Sequence, residues 1–298
     1  MRDKTYKVCM FRLSRRAKLL ALIFSLLSLF HCQTQHQSFS SYLILYALDA
    51  EGQVLMEKMS ILDNQKILGR TVNIGNLSGV DIVLAESGAG MTNAAMTTQK
   101  LIDEYHPKGV IFIGIAGAID NVVHIGDIVV CESWVTHDYG DHGADGLRPY
   151  GIKVYSPQSD SMIRTSRFSV DSSMYKAVQE MTEDVIPFQN IGERTPKLLI
   201  GGVGVSGNAF IDNFEKRIWL YKTFKALIVD KESAAVAQVC SVNHIPFIIF
   251  RSASDLAGGS GSDSARDEMQ EFFEVAAKNS SMLIIKFLEH LSLSLQSL

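Results

Sequence analysis

From residue 42 onward, short β-rich runs alternate with segments of helical periodicity, and this alternation constrains the fold more than any other feature of the chain. Residues 42–47 read as a buried strand, and 51–61 follow with apolar spacing suited to a helix. Residues 70–74 and 81–86 flank the turn signal Asn76-Leu77-Ser78-Gly79 and predict a hairpin. A helix over 92–105 and strands over 109–113 and 127–132 come next. The polar, glycine-containing stretch 137–169 reads as a long loop. A helix is expected over 171–181 and a strand over 197–205. The last third alternates cleanly, with helices over 213–223, 232–242 and 264–291 and strands over 226–229 and 246–251. Ser264-Ala265-Arg266-Asp267 forms a capping box at the start of the last helix, whose apolar face is read as core. The pattern predicts an α/β fold with a mainly parallel central sheet and helices on both faces. No internal repeat and no linker interrupts residues 42–298, which are read as a single domain.

The front end has a different character. Of the chain's 28 Lys+Arg residues, seven lie in the first 31 positions (Arg2, Lys4, Lys7, Arg12, Arg15, Arg16, Lys18), with Asp3 the one acid among them. The rest holds 21 basic against 31 acidic residues, a net −10, and lacks the clustered Lys and Arg that nucleic-acid binding by counterion release requires. The apolar run 19–30 spans about 18 Å as a helix, short of a bilayer core of roughly 30 Å. A basic stretch before a short apolar run reads as a signal segment over 1–31, with a short membrane-associated helix as the alternative. Cys32, with Leu29 three positions before it, resembles a bacterial lipoprotein acylation site, although His31 stands where that pattern has a small residue. The polar tract 32–41 would then be a tether. The expectation is an exported protein, periplasmic or membrane-anchored if bacterial. Cys131 and Cys240 sit in apolar runs and read as small hydrophobes.

In sheets of this kind ligands bind beyond the carboxyl ends of the strands. Three acids fall at that edge: Glu51 after the first strand, Glu232 after Val229-Asp230-Lys231, and Asp255 after Ser254. Each also has a local explanation, since the helix macrodipole favours acids in a first turn and Asp forms turns. His137-Asp138-Tyr139-Gly140-Asp141-His142 has the composition of a metal site, but its loop spacing is unconstrained and no Cys accompanies it, so it is read as a solvated loop. No metal or other cofactor is expected.

At these residues the chain resembles the nucleoside phosphorylase/nucleosidase superfamily, and within it the methylthioadenosine/S-adenosylhomocysteine nucleosidases. Five segments carry the resemblance: Ser87-Gly88-Ala89-Gly90, Gly114-Ile115-Ala116-Gly117 leading to Gly126-Asp127-Ile128, Val205-Ser206-Gly207-Asn208-Ala209-Phe210-Ile211, Asp230-Lys231-Glu232-Ser233-Ala234-Ala235, and Ser254-Asp255. The Gly114–Gly117 form and Trp219-Leu220-Tyr221 look closest to a branch containing plant vegetative storage proteins, which brings in an inactive binding or storage protein as an alternative.

The resemblance implies that Asp255 protonates the purine at N7, Glu51 activates the attacking water and Glu232 holds the ribose hydroxyls. It places Phe210 and Ile211 against the purine, and Ser87 and Gly88 beside the ribose. Cleavage of an N-glycosidic bond leaves positive charge on the sugar and negative charge on the base, so carboxylates on both sides suit that chemistry. The phosphorolytic relatives hold phosphate with an Arg and a Ser or Thr, where this chain has Phe112 and Ile115. An apolar pair offers phosphate no bidentate donor, so water is the expected nucleophile and a phosphorylase the alternative. Lys231 replaces the usual Met under the ribose, where it would pair with Asp230, shift Glu232, favour an anionic ligand, mark a relaxed site, or simply point its ammonium to solvent. The family also implies an adenine nucleoside as the small-molecule partner and a homodimer.

Overall fold

The computed structural model describes residues 41–156, 159–181, 188–261 and 263–296. The expected signal segment and tether, Cys32 included, lie outside the described residues. The chain begins with β1 (Tyr42–Tyr46), α1 (Asp49–Lys58), β2 (Ser60–Ile67), β3 (Arg70–Leu77), β4 (Val80–Glu86), α2 (Met91–Tyr105) and β5 (Gly109–Ala118). It continues with β6 (Ile128–Val130), β7 (Ser133–Thr136), β8 (Gly140–Gly143), β9 (Gly146–Pro149), β10 (Ile152–Ser156), β11 (Ser161–Thr165) and β12 (Phe168–Ser169). The last part holds α3 (Ser172–Gln179), β13 (Leu198–Ile200), β14 (Val203–Ser206), α4 (Phe214–Phe224), β15 (Ala226–Asp230), α5 (Ser233–Asn243), β16 (Phe247–Asp255) and α6 (Ala265–Gln296).

β1 shows why the centre of the sheet is apolar at consecutive positions. Leu43 and Leu45 join one core cluster with α2 and α5, while Ile44 and Tyr46 join a second with α1, α3 and α6. A strand buried on both faces has no solvent side to alternate with. Leu43, Ile44 and Leu45 are fully buried, a burial worth on the order of 1.5–3 kcal/mol for each side chain. β1 lies parallel between β4 and β5, and β16 is parallel to the other side of β5. Farther out, β15 and β7 flank β14 in parallel. The single α/β unit expected from sequence, with helices on both faces, is therefore present, covering residues 40–298.

Antiparallel pairs complete the sheet where sequence pattern was least informative. The expected hairpin is the β3–β4 pair, turning at Ser78-Gly79. The helix expected over 51–61 instead spans Asp49–Lys58, and β2 follows as an edge strand on β3. β2 is exposed from Ser60 to Lys66, so no buried face imprints alternation on its sequence. The loop expected over 137–169 is also corrected. It holds the hairpins β8–β9 and β10–β11 and the short β12, which pairs with β7. These hairpins bury few side chains, so backbone pairing rather than a hydrophobic face defines them. The strand expected over 197–205 is divided into β13 and β14 by Gly201-Gly202.

Helix starts follow local side-chain chemistry. The Asp171 carboxylate accepts from the Ser173 and Met174 N–H groups, and Asn213 Oδ1 accepts from Lys216 N at 2.7 Å. At α6, Asp267 N donates to Ser264 Oγ (3.2 Å) and Ser264 N donates to Asp267 Oδ2 (3.4 Å), the reciprocal capping expected from sequence. Cys131 and Cys240 are free and buried, and burial raises both thiol pKa values. No helix among the described residues is long and apolar enough to cross a membrane.

Candidate active site

The site is assembled at the carboxyl ends of β1, β4, β15 and β16, beside the far half of β5. α1 begins just after β1 and holds Glu51 in its first turn, where the helix dipole favours a carboxylate. Glu51 Oε2 accepts from the N–H groups of Ala47 (2.7 Å) and Leu48 (2.8 Å), and Oε1 accepts from Ile115 N (3.0 Å). The side chain thus caps its helix and also reaches across to β5. It is 1% exposed, and burial raises its pKa against the opposing pull of Arg251 and the three N–H donors.

β15 delivers Asp230, Lys231 and Glu232 to the same edge. Glu232 is the N-cap residue of α5, and its Oε1 accepts from Gly90 N at 2.7 Å. This bond ties the Ser87–Gly90 segment to the acid. Ser87 is fully buried, its N–H donating to Tyr46 O (2.6 Å) and its hydroxyl to Gly88 O (3.2 Å). The Glu232 pKa is raised, first by burial and then by Asp230, with Arg251 and the Gly90 N–H pulling the other way.

β16 supplies the remaining groups. Asp255 is nearly fully buried; its Oδ1 accepts from Ala257 N (2.8 Å) and its Oδ2 from Ser254 Oγ (2.9 Å). Burial outweighs both hydrogen bonds and pushes its pKa up to about 6, with Glu268 and Asp212 adding to the rise. Asp255 borders a narrow cleft with Gly117, Phe210, Ile211, Asp230 and Lys231. A separate, wider opening lined by His124, Phe214, Arg217 and Leu256 contains none of the three acids.

Sequence reasoning missed Arg251. It is fully buried at the end of the apolar run Phe247-Ile248-Ile249-Phe250, and a charge in that place was the available signal. Its Nε lies 2.7 Å from Asp230 Oδ2 and donates to Ser233 Oγ (2.9 Å), while Nη1 donates to Ile113 O (3.0 Å). The guanidinium carbon stands 4.1 Å from the Phe112 ring centroid, a cation–π contact. Nη2 makes no hydrogen bond within the described protein and lies 3.8 Å from Glu232 Oε2. Asp230 also accepts from Ser206 Oγ at 2.5 Å and from the Ser233 hydroxyl. One guanidinium therefore serves a cluster of three acids, Glu51, Asp230 and Glu232, and leaves that cluster short of positive charge.

Two glycines of β5 allow this crowding. A Cβ on Gly114 would fall 2.0 Å from Arg251 Nη1 and 2.6 Å from Glu51 Oε1, and one on Gly117 would fall 2.7 Å from Asp255 Oδ1. The structure thus gathers Glu51 and Glu232 around Arg251 and sets Asp255 in the cleft with Phe210, Ile211 and Lys231. Gly88 lies by contrast against Arg70, whose Nη1 pairs with Glu86 Oε1 at 2.9 Å. Phe112 and Ile115 contribute a ring face to Arg251 and an N–H to Glu51. In the stretch 137–142, His137 is buried with its pKa lowered by burial, Asp138 accepts from Asn208 N (3.0 Å) and Asp141 pairs with Arg148.

A family profile described as "Phosphorylase superfamily" matches residues 43–289. The chain belongs to this family. A 5'-methylthioadenosine/S-adenosylhomocysteine nucleosidase of Staphylococcus haemolyticus (strain JCSC1435) is 32% identical over 242 residues, covering 81% of this chain and 96% of the relative. The crystal structure of the Neisseria meningitidis nucleosidase of that name, in complex with methylthio-immucillin-A, superimposes with a TM-score of 0.68 at 27% identity, covering 84% of this chain and 99% of that one. A futalosine hydrolase of Helicobacter pylori strain 26695 superimposes with a TM-score of 0.66 at 25% identity, covering 85% and 97%.

Proposed function

We propose that this protein is an exported N-glycosidic hydrolase acting on methylthioadenosine, S-adenosylhomocysteine or a related adenine nucleoside. The observation that carries the reading is the set of buried acids at one sheet edge, Asp255 being raised to about 6 while Glu51 and Glu232 share Arg251. Asp255, protonated in a growing fraction of molecules below that pH, donates its proton to the departing purine. Phe210 and Ile211 hold the base in the cleft beside it. Glu51 accepts a proton from the attacking water, and Glu232 binds the ribose hydroxyls next to the developing positive charge. The water oxygen bonds to the anomeric carbon as the carbon–nitrogen bond breaks, giving free base and reducing sugar. Arg251 orients Glu232 and Asp230, and its Nη2, which makes no hydrogen bond among the described residues, offers a donor to the water.

Water is favoured over phosphate because a buried phenylalanine and an isoleucine stand where phosphate would need donors. Similarity to a futalosine hydrolase as well as to nucleosidases makes the substituent beyond the ribose the feature an assay must resolve. The test is release of adenine from methylthioadenosine by the purified protein in phosphate-free buffer. Turnover without phosphate is expected. Turnover only with phosphate would make the protein a phosphorylase, and no turnover of methylthioadenosine, S-adenosylhomocysteine or futalosine in either buffer would refute the enzyme reading.

A further inference from the structure

Glu268 is a buried carboxylate without a paired cation. It lies in the first turn of α6 and is 4% exposed. Its Oε2 accepts from Leu256 N at 2.9 Å, and among the described residues no Lys, Arg or His forms an ion pair with it. Arg217 of α4, which its charge reaches, donates instead to Ile119 O (2.9 Å) and Asn121 Oδ1 (3.2 Å). Helix capping does not explain the placement. The macrodipole favours an acid in a first turn, but Asp267 already meets that preference through its reciprocal bonds with Ser264. Burying a second carboxylate there costs free energy that one hydrogen bond offsets only in part.

Glu268 reaches the chain immediately after Asp255. Leu256 follows the acid, and Ala257, one residue on, donates its N–H to Asp255 Oδ1 at 2.8 Å. Fixing Leu256 N therefore fixes the turn that orients the Asp255 carboxyl. The purine-facing segment is tied to the same helix turn, because Asp212, next to Ile211, accepts from Ala265 N at 2.9 Å. The start of α6 thus holds both the acid and the segment that faces it across the cleft.

We propose that Glu268 is a positioning residue for the proton donor, fixing the chain just after Asp255 and keeping a second negative charge within reach of it. This rests on the nucleosidase reading and deepens it. Carboxylates sharing a water-poor pocket each disfavour loss of a proton from the other. The charge of Glu268 therefore holds the Asp255 proton to higher pH, and that of Asp212 acts in the same sense. Arg217, a cation that both Asp255 and Glu268 reach, opposes them. Asp230 and Lys231 line the same cleft, while β5 meets Asp255 with the uncharged Gly117.

The test is the pH profile of kcat/KM in the full-length wild type, Glu268→Gln and Glu268→Ala. The substrate is whichever of methylthioadenosine, S-adenosylhomocysteine and futalosine the wild type turns over fastest. Glutamine keeps an acceptor for Leu256 N and lacks the charge. Its descending limb is expected about 0.5–1 pH unit below that of the wild type, so kcat/KM near pH 7.5 falls about three- to tenfold. Alanine also removes the acceptor. Its limb moves the same way, and kcat falls about tenfold even below about pH 5, with KM little changed. A limb that stays at the wild-type pH in Glu268→Gln would overturn the proposal and leave the nucleosidase reading standing. Release of base from none of the three nucleosides by the wild type would overturn both.

Discussion

Replacing Asp255 by asparagine exchanges activity for stability, and the structure sets the size of both effects. The carboxyl is 2% exposed and its pKa lies at about 6 instead of the ordinary 3.8. Because the folded-state pKa is raised, the stability supplied by the bound proton is fully present below 3.8 and is lost as the pH rises through about 6. At about 1.36 kcal/mol per pH unit, the ionised side chain costs about 3 kcal/mol near pH 8 and about half that near pH 5. Asparagine is neutral at every pH and matches the carboxyl in shape. Its Oδ1 still accepts from Ala257 N, and its amide donates to Ser254 Oγ, whose hydroxyl then turns to Ala116 O, 3.4 Å away. Urea unfolding of Asp255→Asn should therefore show a gain of about 3 kcal/mol near pH 8, roughly 6–12 °C in Tm, shrinking as the pH falls. The same variant lacks the acid that protonates the base, so kcat/KM drops by about 10²–10⁴. In the wild type kcat/KM should decline as the pH rises through about 6, and the variant should lose that limb. Equal stability of the two proteins near pH 8 would refute the burial argument. Retained activity would refute the assignment of the proton donor.

Other substitutions probe the scaffold around that acid. Arg251→Met leaves the buried Asp230 carboxylate without its cation and should destabilise the fold by about 3–5 kcal/mol in urea unfolding, with partial recovery on adding Asp230→Asn. Gly114→Ala forces Cβ against Arg251 and Glu51 from a backbone at φ +151°. A displacement of catalytic groups by about 1 Å should lower kcat on the order of 10²-fold, and an unchanged kcat would show that neither group needs its position. For the N-terminal segment, lipid labelling of the protein in bacterial cells should disappear in Cys32→Ala, and labelling that persists would rule out acylation at that residue.

Much of this architecture is legible without coordinates, for a physical reason that varies from element to element. Strands buried on both faces, such as β1 and β16, are written as continuous apolar runs, and α4 and α5 are bounded by cap residues only a few positions away. β2 and the hairpins between Gly140 and Thr165 were not legible, because backbone pairing stabilises them while most of their side chains remain in solvent. The site divides the same way. Glu51, Glu232 and Asp255 could be placed at one edge from their positions after strands, whereas nothing near Arg251 in sequence announces which acid it serves.

The sequence by itself determined the alternation of elements, the glycine-rich turns and the types of residue available at the strand ends, since each depends on neighbours within a few positions. Tertiary structure alone decided the partners. Gly90 meets Glu232 across 142 positions, and Arg251 reaches the Ile113 carbonyl across 138. It also decided that Asp230 goes to Arg251 rather than to Lys231. Those choices are made by packing and desolvation: a buried guanidinium takes the acids that share its pocket.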